Sequence, residues 1–245
     1  MYKWDLVPEL LFLNGDFRIP LDSTKNNKMK NVLTTCTVIV SLFLFGCNKN
    51  NSDNGQQPSI ESITIGTQTW TLKNLDVVKY RNGDPIQQVS DPGQWASLTT
   101  GAWCYYFNNS SNNAAYGKLY NWYAVNDSRG LAPAGWHIPT DIEWTTLTTF
   151  LGGETDAGGK MKSTSLWTTP NTGATNTSGF TGLPGGGRDF GGTVVYDNGN
   201  GGVWWSSTEN TSTSAWKRTL YFSAATVNRS FDGKASGYSI RCIKD

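Results

Sequence analysis

The amino-acid sequence predicts an α+β domain that is rich in loops, with two short helices packed on small antiparallel sheets. Glycine and tryptophan are frequent, at 27 and 11 of 245 residues, whereas only 16% of the residues are charged. Short runs of alternating apolar residues flank one capped pattern of helical period, which favours small sheets over a helical bundle. The aromatic content indicates a chain that folds around a few large buried side chains.

The N-terminal part of the chain has the features of an export leader. Lys28 and Lys30 precede the uncharged run 32–45, which is too short to span a membrane and is typical of the apolar middle of a secretory signal. The run is followed by Gly46 and Cys47, a pair that resembles the bacterial lipobox, in which the cysteine is acylated. We therefore expect a lipoprotein anchored through Cys47; the alternatives are a plain signal peptide and a single membrane anchor.

This interpretation divides the chain into four parts. Residues 1–28 lack signal character and are expected to come from a start codon assigned too early, and residues 29–46 form the signal peptide. Residues 47–58 are the acylated cysteine and a polar, flexible tether, and residues 59–245 form a single domain. Because Asn48 follows the lipid-bearing cysteine, we expect the outer membrane of a Gram-negative bacterium, with exposure at the cell surface as one option.

Alternating sequence predicts strands at both ends of the domain. Residues 60–65 and 68–72 alternate on either side of Gly66 and Thr67, and glycine at the first central position suits a type II′ hairpin. The stretch 152–202 is expected to be mostly ordered loop. Four later segments read as strands that close the sheet: 203–206, 215–222, 226–231 and 237–243.

Two helices are predicted between these strands. Apolar residues at positions i, i+3 and i+4 within residues 116–125 predict a short helix. The clearest helix begins at Thr140, which forms a capping box with Glu143 and precedes an apolar stripe that ends before Gly152.

Two cysteines, Cys104 and Cys242, remain in the domain. An even number of thiols in an exported, oxidising setting favours one disulfide, and two buried free thiols are the alternative. No metal or other cofactor is expected, because the chain has one histidine and no Cys-x-x-Cys pair. Calcium would need Asp189, Asp197 and Glu209, whose spacing matches no known calcium loop.

The balance of charges limits the classes of partner. A formal net charge of +1 provides no basic surface for nucleic acid, so membrane contact is expected only through the lipid. Six charged residues among the aromatic segments form a candidate polar network that either binds a ligand or holds loops together. They are Arg188, Asp189, Glu209, Arg218, Arg229 and Arg241.

His137 is the only imidazole available to a catalytic site. Any Ser-His-Asp or Cys-His arrangement would have to use it, yet it lies just before the capped helix, where packing roles are common. Catalysis would require His137 to meet Glu209 or Asp189 in one cleft. Since no catalytic motif accompanies it, we predict that the protein is not an enzyme.

Seven segments follow one another in the domain, among them Trp-Cys-Tyr-Tyr at 103–106 and Trp-Trp-Ser-Ser-Thr-Glu at 204–209. The complete set is 65–75, 103–106, 116–124, 133–144, 178–188, 204–209 and 237–242. Together they resemble the Fibrobacter succinogenes major paralogous domain, a family widespread in exported bacterial lipoproteins. Members often carry a further cysteine where this chain has Ala132, so their second disulfide is not expected here.

A more distant resemblance concerns the fold. Residues 137–144 are similar to the Arg-Leu-Pro-Thr-Glu-x-Glu-Trp segment of formylglycine-generating enzymes, and residues 237–245 are similar to their closing Gly-Phe-Arg-Cys stretch. This resemblance implies a C-type-lectin-like fold and a disulfide-bonded closing cysteine, which supports pairing of Cys104 with Cys242. The oxidase activity of those enzymes is not expected, because their reactive cysteine pair is missing between Trp205 and Arg241.

The sequence therefore predicts a non-catalytic lipoprotein of the cell envelope with a lectin-like domain that binds a glycan or a protein. A structural component of the envelope or of an extracellular assembly is the alternative. An enzyme that uses His137 is the third hypothesis.

Overall fold

Short strands and short helices alternate along the described part of the chain. The structure is a computed structural model that describes residues 59–195 and 199–245, which belong to one compact unit. The expected early start, signal peptide and acylated tether at 1–28, 29–46 and 47–58 lie outside these residues. No helix within the described ranges is long and apolar enough to cross a membrane.

The strands are β1 (Ser62–Ile65), β2 (Gln68–Thr71), β3 (Gln87–Gln88), β4 (Ala102–Tyr105), β5 (Lys118–Asn121), β6 (Trp136–His137), β7 (Gly187–Arg188), β8 (Val194–Val195), β9 (Gly201–Thr211), β10 (Ser214–Tyr221), β11 (Val227–Gly233), β12 (Gly237–Tyr238) and β13 (Ile243–Lys244). The α-helices are α1 (Pro92–Ala96), α2 (Asn113–Tyr116), α3 (Trp122–Val125), α4 (Asp141–Phe150) and α5 (Ala157–Met161). Two short 3₁₀ turns precede α2, at Tyr106–Asn108 and Ser110–Asn112.

These strands form three sheets. Their orders are β1-β2-β13-β6, β11-β10-β9 and β3-β4-β5-β12-β7-β8. Only β3 and β4 pair in parallel among these described strands. The α+β class and the small, mainly antiparallel sheets are confirmed. The prediction of two helices is wrong, because the described residues form five. The three helices that were not predicted, α1, α2 and α5, have only four or five residues each, too few to show a helical period of apolar residues in the sequence.

The predicted N-terminal hairpin is confirmed. β1 and β2 pair antiparallel, with Ile65 opposite Gln68, and Gly66 between them has a φ of 63°. A side chain at Gly66 would also meet the ring of Phe150 at 3.0 Å. Glycine is therefore required here both by the left-handed backbone and by the close approach of α4.

The predicted helix over 116–125 is wrong for half of its length. Residues 118–121 form strand β5, in which Leu119 pairs with Cys104 of β4 and Tyr120 with Tyr238 of β12. Only Tyr116, the last residue of α2, and Trp122–Val125 are helical. A buried strand followed by one helical turn produces the same i, i+3, i+4 spacing as a helix, and the strand partners lie far away in the sequence.

Helix α4 begins as the capping pattern predicts. The Thr140 hydroxyl accepts from the Glu143 backbone N–H at 3.2 Å, and the Glu143 carboxylate accepts from the Thr140 N–H at 2.8 Å. Trp144 and Leu147 are fully buried on the inner face of the helix. The Trp144 ring lies 4.8 Å from that of Trp70 on β2, so this helix is fixed to the four-stranded sheet by aromatic packing.

The predicted final strand, 237–243, is divided between sheets. Gly237–Tyr238 is β12 of the six-stranded sheet, and Ile243–Lys244 is β13 of the four-stranded sheet. Between them, Ser239 exchanges backbone hydrogen bonds with Val203 and Trp205 of β9. This closing segment therefore contacts all three sheets. The other predicted strands fall within β9, β10 and β11, which form the three-stranded sheet.

One buried lysine links three loops near the three-stranded sheet. Lys162 has no exposed surface, and its Nζ donates to the carbonyl oxygens of Thr172, Tyr221 and Ala224 at 2.9, 2.9 and 2.8 Å. These three acceptors use all three protons of the ammonium group. The lysine side chain thus connects the segment after α5 to the loop at Thr172 and to the end of β10.

The predicted disulfide is wrong, since Cys104 and Cys242 are both free and buried. Cys104 packs with Trp95 and Leu119, whereas Cys242 belongs to a different apolar cluster that includes Ile240. The alternative of two buried thiols describes the structure. Counting cysteines gives only their parity, and a disulfide also requires their Cβ atoms to be about 4 Å apart.

A candidate ligand-binding depression

Arg188 of the predicted polar network is a buried structural side chain. It is 2% exposed, and it donates to the carbonyl oxygens of Val89, Ser90 and Gly192 at 2.8 to 2.9 Å. Its guanidinium stacks over the Trp95 ring at 4.6 Å. Arg188 therefore connects loops of the six-stranded sheet.

Arg241 has the same kind of environment in the four-stranded sheet. It is 1% exposed, and it donates to Asn74 Oδ1 and to the carbonyls of Thr71, Phe180 and Thr181 at 2.7 to 3.1 Å. The Phe180 ring lies 4.5 Å from the guanidinium. Four of its five N–H donors are used within the protein, so Arg241 holds the surrounding loops together.

Arg218 and Arg229 meet at one carboxylate, Asp141. Arg218 Nη1 lies 2.6 Å from Asp141 Oδ1, and Arg229 Nη2 lies 2.7 Å from Oδ2. Burial raises the pKa of Asp141, but the hydrogen bonds from the two arginines outweigh it and leave the pKa below its usual value. Arg229 also stacks at 3.6 Å over Trp216, whose ring contacts the exposed Phe231.

The remaining members of the predicted network lie apart from these sites. Asp189 accepts from the Thr193 backbone N–H at 2.7 Å, and Glu209 pairs with Lys234 at 2.7 Å. The six residues do not form one network, since Arg218 and Arg229 share Asp141 and the other four bind separate neighbours. Of the two predicted roles, the contacts of Arg188 and Arg241 agree with holding loops together, and ligand binding by the six residues stays a prediction.

His137 lies between two carboxylates. Its Nδ1 is 2.7 Å from Asp245 Oδ1, and its Nε2 is 2.9 Å from Glu143 Oε1. Both ring nitrogens then act as donors, which is the arrangement of an imidazolium. Burial lowers the pKa of His137, but the two carboxylates outweigh burial and raise it above its usual value. Neither carboxylate that the catalytic hypothesis required is among these partners.

The described residues contain no group of three or more His, Cys, Asp and Glu side chains placed to hold a metal ion. An open depression offers a different kind of site. It has a volume of about 350 Å³ and is lined by residues 99–101, 122–123, 126–129 and Lys234. We call it the Tyr123 depression, because this half-buried tyrosine lies within the lining.

One side chain and one backbone hydrogen bond hold the walls of the Tyr123 depression in place. Asn121 donates to the Thr100 carbonyl at 2.8 Å and accepts from the Ala102 N–H at 3.0 Å. The backbone N–H of Trp122 donates to the Lys234 carbonyl at 2.8 Å. The three loops that form the depression are therefore joined to each other by buried hydrogen bonds, which preorganises the site.

The charged residues on one wall form a closed cluster. Arg129 binds Asp127 through Nε at 2.9 Å and through Nη2 at 2.8 Å, and its Nη1 lies 3.4 Å from Asp84. The hydrogen bond from Arg129 lowers the pKa of Asp127 to about 2. The guanidinium also stacks over the Tyr80 ring at 4.1 Å. This cluster is fixed and fully ionised at neutral pH.

Lys234 on the opposite wall is engaged in the same way. Its Nζ lies 2.7 Å from Glu209 and 2.8 Å from the Ser212 carbonyl, and 4.7 Å above the Trp122 ring. The ammonium group therefore has an anion, a carbonyl and an aromatic face as partners.

Five neutral polar side chains in the lining have no such partners. Within the described ranges, the side chains of Thr99, Thr100, Tyr123, Asn126 and Ser128 have no hydrogen bond to another protein group. Each of them can both donate and accept hydrogen bonds. The depression therefore offers a neutral hydrogen-bonding surface between two charge clusters whose cations are already paired with carboxylates.

The model of the Fibrobacter succinogenes major domain matches residues 63–244, most of the chain. The chain belongs to this family. A comparison with curated proteins and one with solved structures each find no match. The matched range includes every residue that lines the Tyr123 depression. The depression therefore lies within the Fibrobacter succinogenes major domain of this chain.

The Tyr123 depression was not predicted from the sequence. The helix predicted over 116–125 concealed Asn121, which is the N-cap of α3. A usable signal is present in the run Asn-Asp-Ser-Arg-Gly at 126–130, because these residue types are typical of turns. What the sequence does not show is that residues 99–101 and Lys234 meet this turn.

Proposed function

We propose that this protein is a non-catalytic lipoprotein of the Gram-negative cell envelope, with a C-type-lectin-like domain that binds a glycan or a protein ligand. The ligand binds in the Tyr123 depression. The carrying observation is the set of five polar side chains that lack protein partners among the described residues, one of them the half-buried Tyr123. Pockets with a few convergent polar groups and aromatic surface are the usual form of ligand sites.

The environment of His137 supports a binding role over catalysis. A general base needs a nitrogen that is free to take a proton from the substrate. Both nitrogens of His137 lie within 2.9 Å of a carboxylate. Its ring is therefore expected to act as a cross-link between its neighbours.

The binding proposal is tested with the purified protein on glycan arrays and in pulldowns from envelope extracts. Tyr123→Ala should lose the ligand that the unchanged protein retains, because the aromatic surface and the phenol hydroxyl are both removed. Phe190→Ala is the matched control, since this exposed aromatic residue lies outside the depression. Equal binding by all three proteins, or no ligand at near-millimolar concentration, would contradict the proposal.

The anchoring part of the proposal rests on the sequence of the leader. Replacing Cys47 by serine removes the acylated thiol, so Cys47→Ser is expected to move the protein out of the detergent-soluble membrane fraction or to block signal cleavage. Fractionation and intact mass measure both outcomes. Unchanged membrane partition with a cleaved signal would show that the anchor lies elsewhere.

A structural role in the envelope is the second candidate. It is favoured by the exposed Phe231, which packs against Trp216 beside the stacked Arg229. Aromatic and arginine side chains are enriched in protein interfaces. Copurification of a specific partner that Phe231→Ala abolishes and Tyr123→Ala leaves intact would favour this role over ligand binding in the depression.

A further inference from the structure

We infer that the Tyr123 depression selects an uncharged, hydroxyl-rich ligand, such as a neutral sugar residue, over anionic sugars and phosphates. This inference rests on the proposed binding function and specifies its ligand class. It follows from what the charged residues of the lining already bind, and from which polar groups remain.

The Arg129 guanidinium is already engaged by two carboxylates. Two of its nitrogens bind the two oxygens of Asp127, and the third lies 3.4 Å from Asp84. A bidentate pair of this kind is the strongest arrangement that a guanidinium makes with a carboxylate. A ligand carboxylate or phosphate would have to displace Asp127, whose own backbone is fixed by the turn to Gly130.

Lys234 is equally engaged. Glu209 and the Ser212 carbonyl accept from its ammonium group, and the third side faces the Trp122 ring. The two clusters together contain three carboxylates and two cations: Asp84, Asp127 and Glu209 against Arg129 and Lys234. The excess negative charge disfavours an anion in the depression.

The groups that remain match sugar hydroxyls. The hydroxyls of Thr99, Thr100, Tyr123 and Ser128 and the amide of Asn126 combine donors and acceptors, as sugar hydroxyl groups do. The tyrosine ring adds apolar surface for the C–H face of a sugar ring. A volume of about 350 Å³ is at the small end of ligand pockets and suits one or two sugar rings.

The test compares matched neutral and acidic sugars: glucose with glucuronic acid, and galactose with galacturonic acid, as methyl glycosides and as short oligomers. Binding is measured by NMR titration and calorimetry in about 20 mM and about 500 mM NaCl. We expect the neutral member of a pair to bind, with an affinity that salt changes less than about twofold, because no ion pair with the ligand is screened.

Two variants assign the binding to the depression. Asn126→Ala and Ser128→Ala should each weaken the neutral sugar by about threefold to tenfold, the usual effect of one lost hydrogen bond. Asn228→Ala is the matched control, because this exposed asparagine on β11 lies outside the lining. Unchanged thermal unfolding of the variants separates a loss of contact from a loss of folding.

The outcomes distinguish this inference from the function on which it rests. Tighter, salt-sensitive binding of the acidic sugars that depends on Asn126 would overturn neutral selectivity and leave the binding function intact. A protein ligand that requires Tyr123, with no sugar bound, would also overturn the inference alone. Absence of any ligand that depends on the depression would overturn both.

Discussion

Several buried cations in this protein have carbonyl oxygens, rather than carboxylates, as their main partners. Arg188, Arg241 and Lys162 are each at most 2% exposed, and together they bind carbonyls from many loops. Loops leave backbone carbonyls without strand or helix partners, and a buried carbonyl without a hydrogen bond is costly. One long cationic side chain satisfies several of them at once.

Arg241→Met should destabilise the domain by about 3–5 kcal/mol, because it removes four hydrogen bonds, three of them to the backbone carbonyls of Thr71, Phe180 and Thr181. This is a large part of the roughly 5–15 kcal/mol that stabilises an ordinary domain. Arg81→Met is the control, since Arg81 also binds three carbonyls but is exposed to solvent. Urea unfolding measures both. Similar losses for the two variants would show that burial of the acceptors is not the cause.

The two thiols should be unreactive in the folded protein and free in the unfolded one. Burial raises the pKa of Cys104 to about 11 and that of Cys242 to about 12. Iodoacetamide at pH 8 should therefore label neither residue in the native domain, and both after unfolding without reductant. Mass spectrometry of the peptides measures this. A peptide pair that only reductant separates would contradict the free-thiol structure.

At the scale of elements, local signals were readable in the sequence and non-local ones were not. The start of α4 was predictable because Thr140 and Glu143 cap the helix within four residues of each other. The strand character of β5 was not, because it depends on β4 and on β12, more than 100 residues later. The roles of Arg188 and Arg241 were equally hidden, since their carbonyl partners have no signature in the sequence.

His137 connects two elements, α4 through Glu143 and the strand β13 through the adjacent Asp245. Because its pKa is raised in the folded state, the ion pairs contribute stability that is fully present below about pH 6.5 and is lost as the pH rises through the folded pKa. His137→Gln should therefore destabilise the protein more at pH 5.5 than at pH 9.

Two measurements check this pH dependence. Urea unfolding of the two proteins gives the difference in unfolding free energy at each pH. Since the chain has one histidine, its imidazole proton resonance reports the folded pKa without overlap. A difference in unfolding free energy that is constant with pH, or a folded pKa of His137 below that of the denatured protein, would contradict stabilisation by the His137 ion pairs.

At the scale of the whole molecule, the closing segment from Gly237 to Lys244 connects all three sheets. A domain linked in this way should unfold as one unit, because each sheet loses backbone contacts when the segment leaves. The sequence predicted strand character here, but alternation alone does not reveal that one segment serves three sheets.

Ile240→Ala should lower the stability of the entire domain by about 2–5 kcal/mol, since Ile240 has no exposed surface and the substitution leaves a cavity. The urea midpoints from tryptophan fluorescence and from far-UV circular dichroism should shift together. Ile142→Ala, at a residue that is 77% exposed, should change neither. Midpoints that separate in the Ile240 variant would show that the sheets unfold independently.

Because three backbone carbonyls surround the buried Lys162 amine, this amine should react with chemical reagents more slowly than surface lysines do. Formaldehyde or acetylating reagents reach surface lysines of the folded protein directly, but they reach Lys162 only when the loops that surround it detach. The rate at which this one amine is modified therefore reports how often that part of the domain opens under native conditions. The modification rate of the peptide that contains Lys162 thus measures local opening of the native domain without an introduced label.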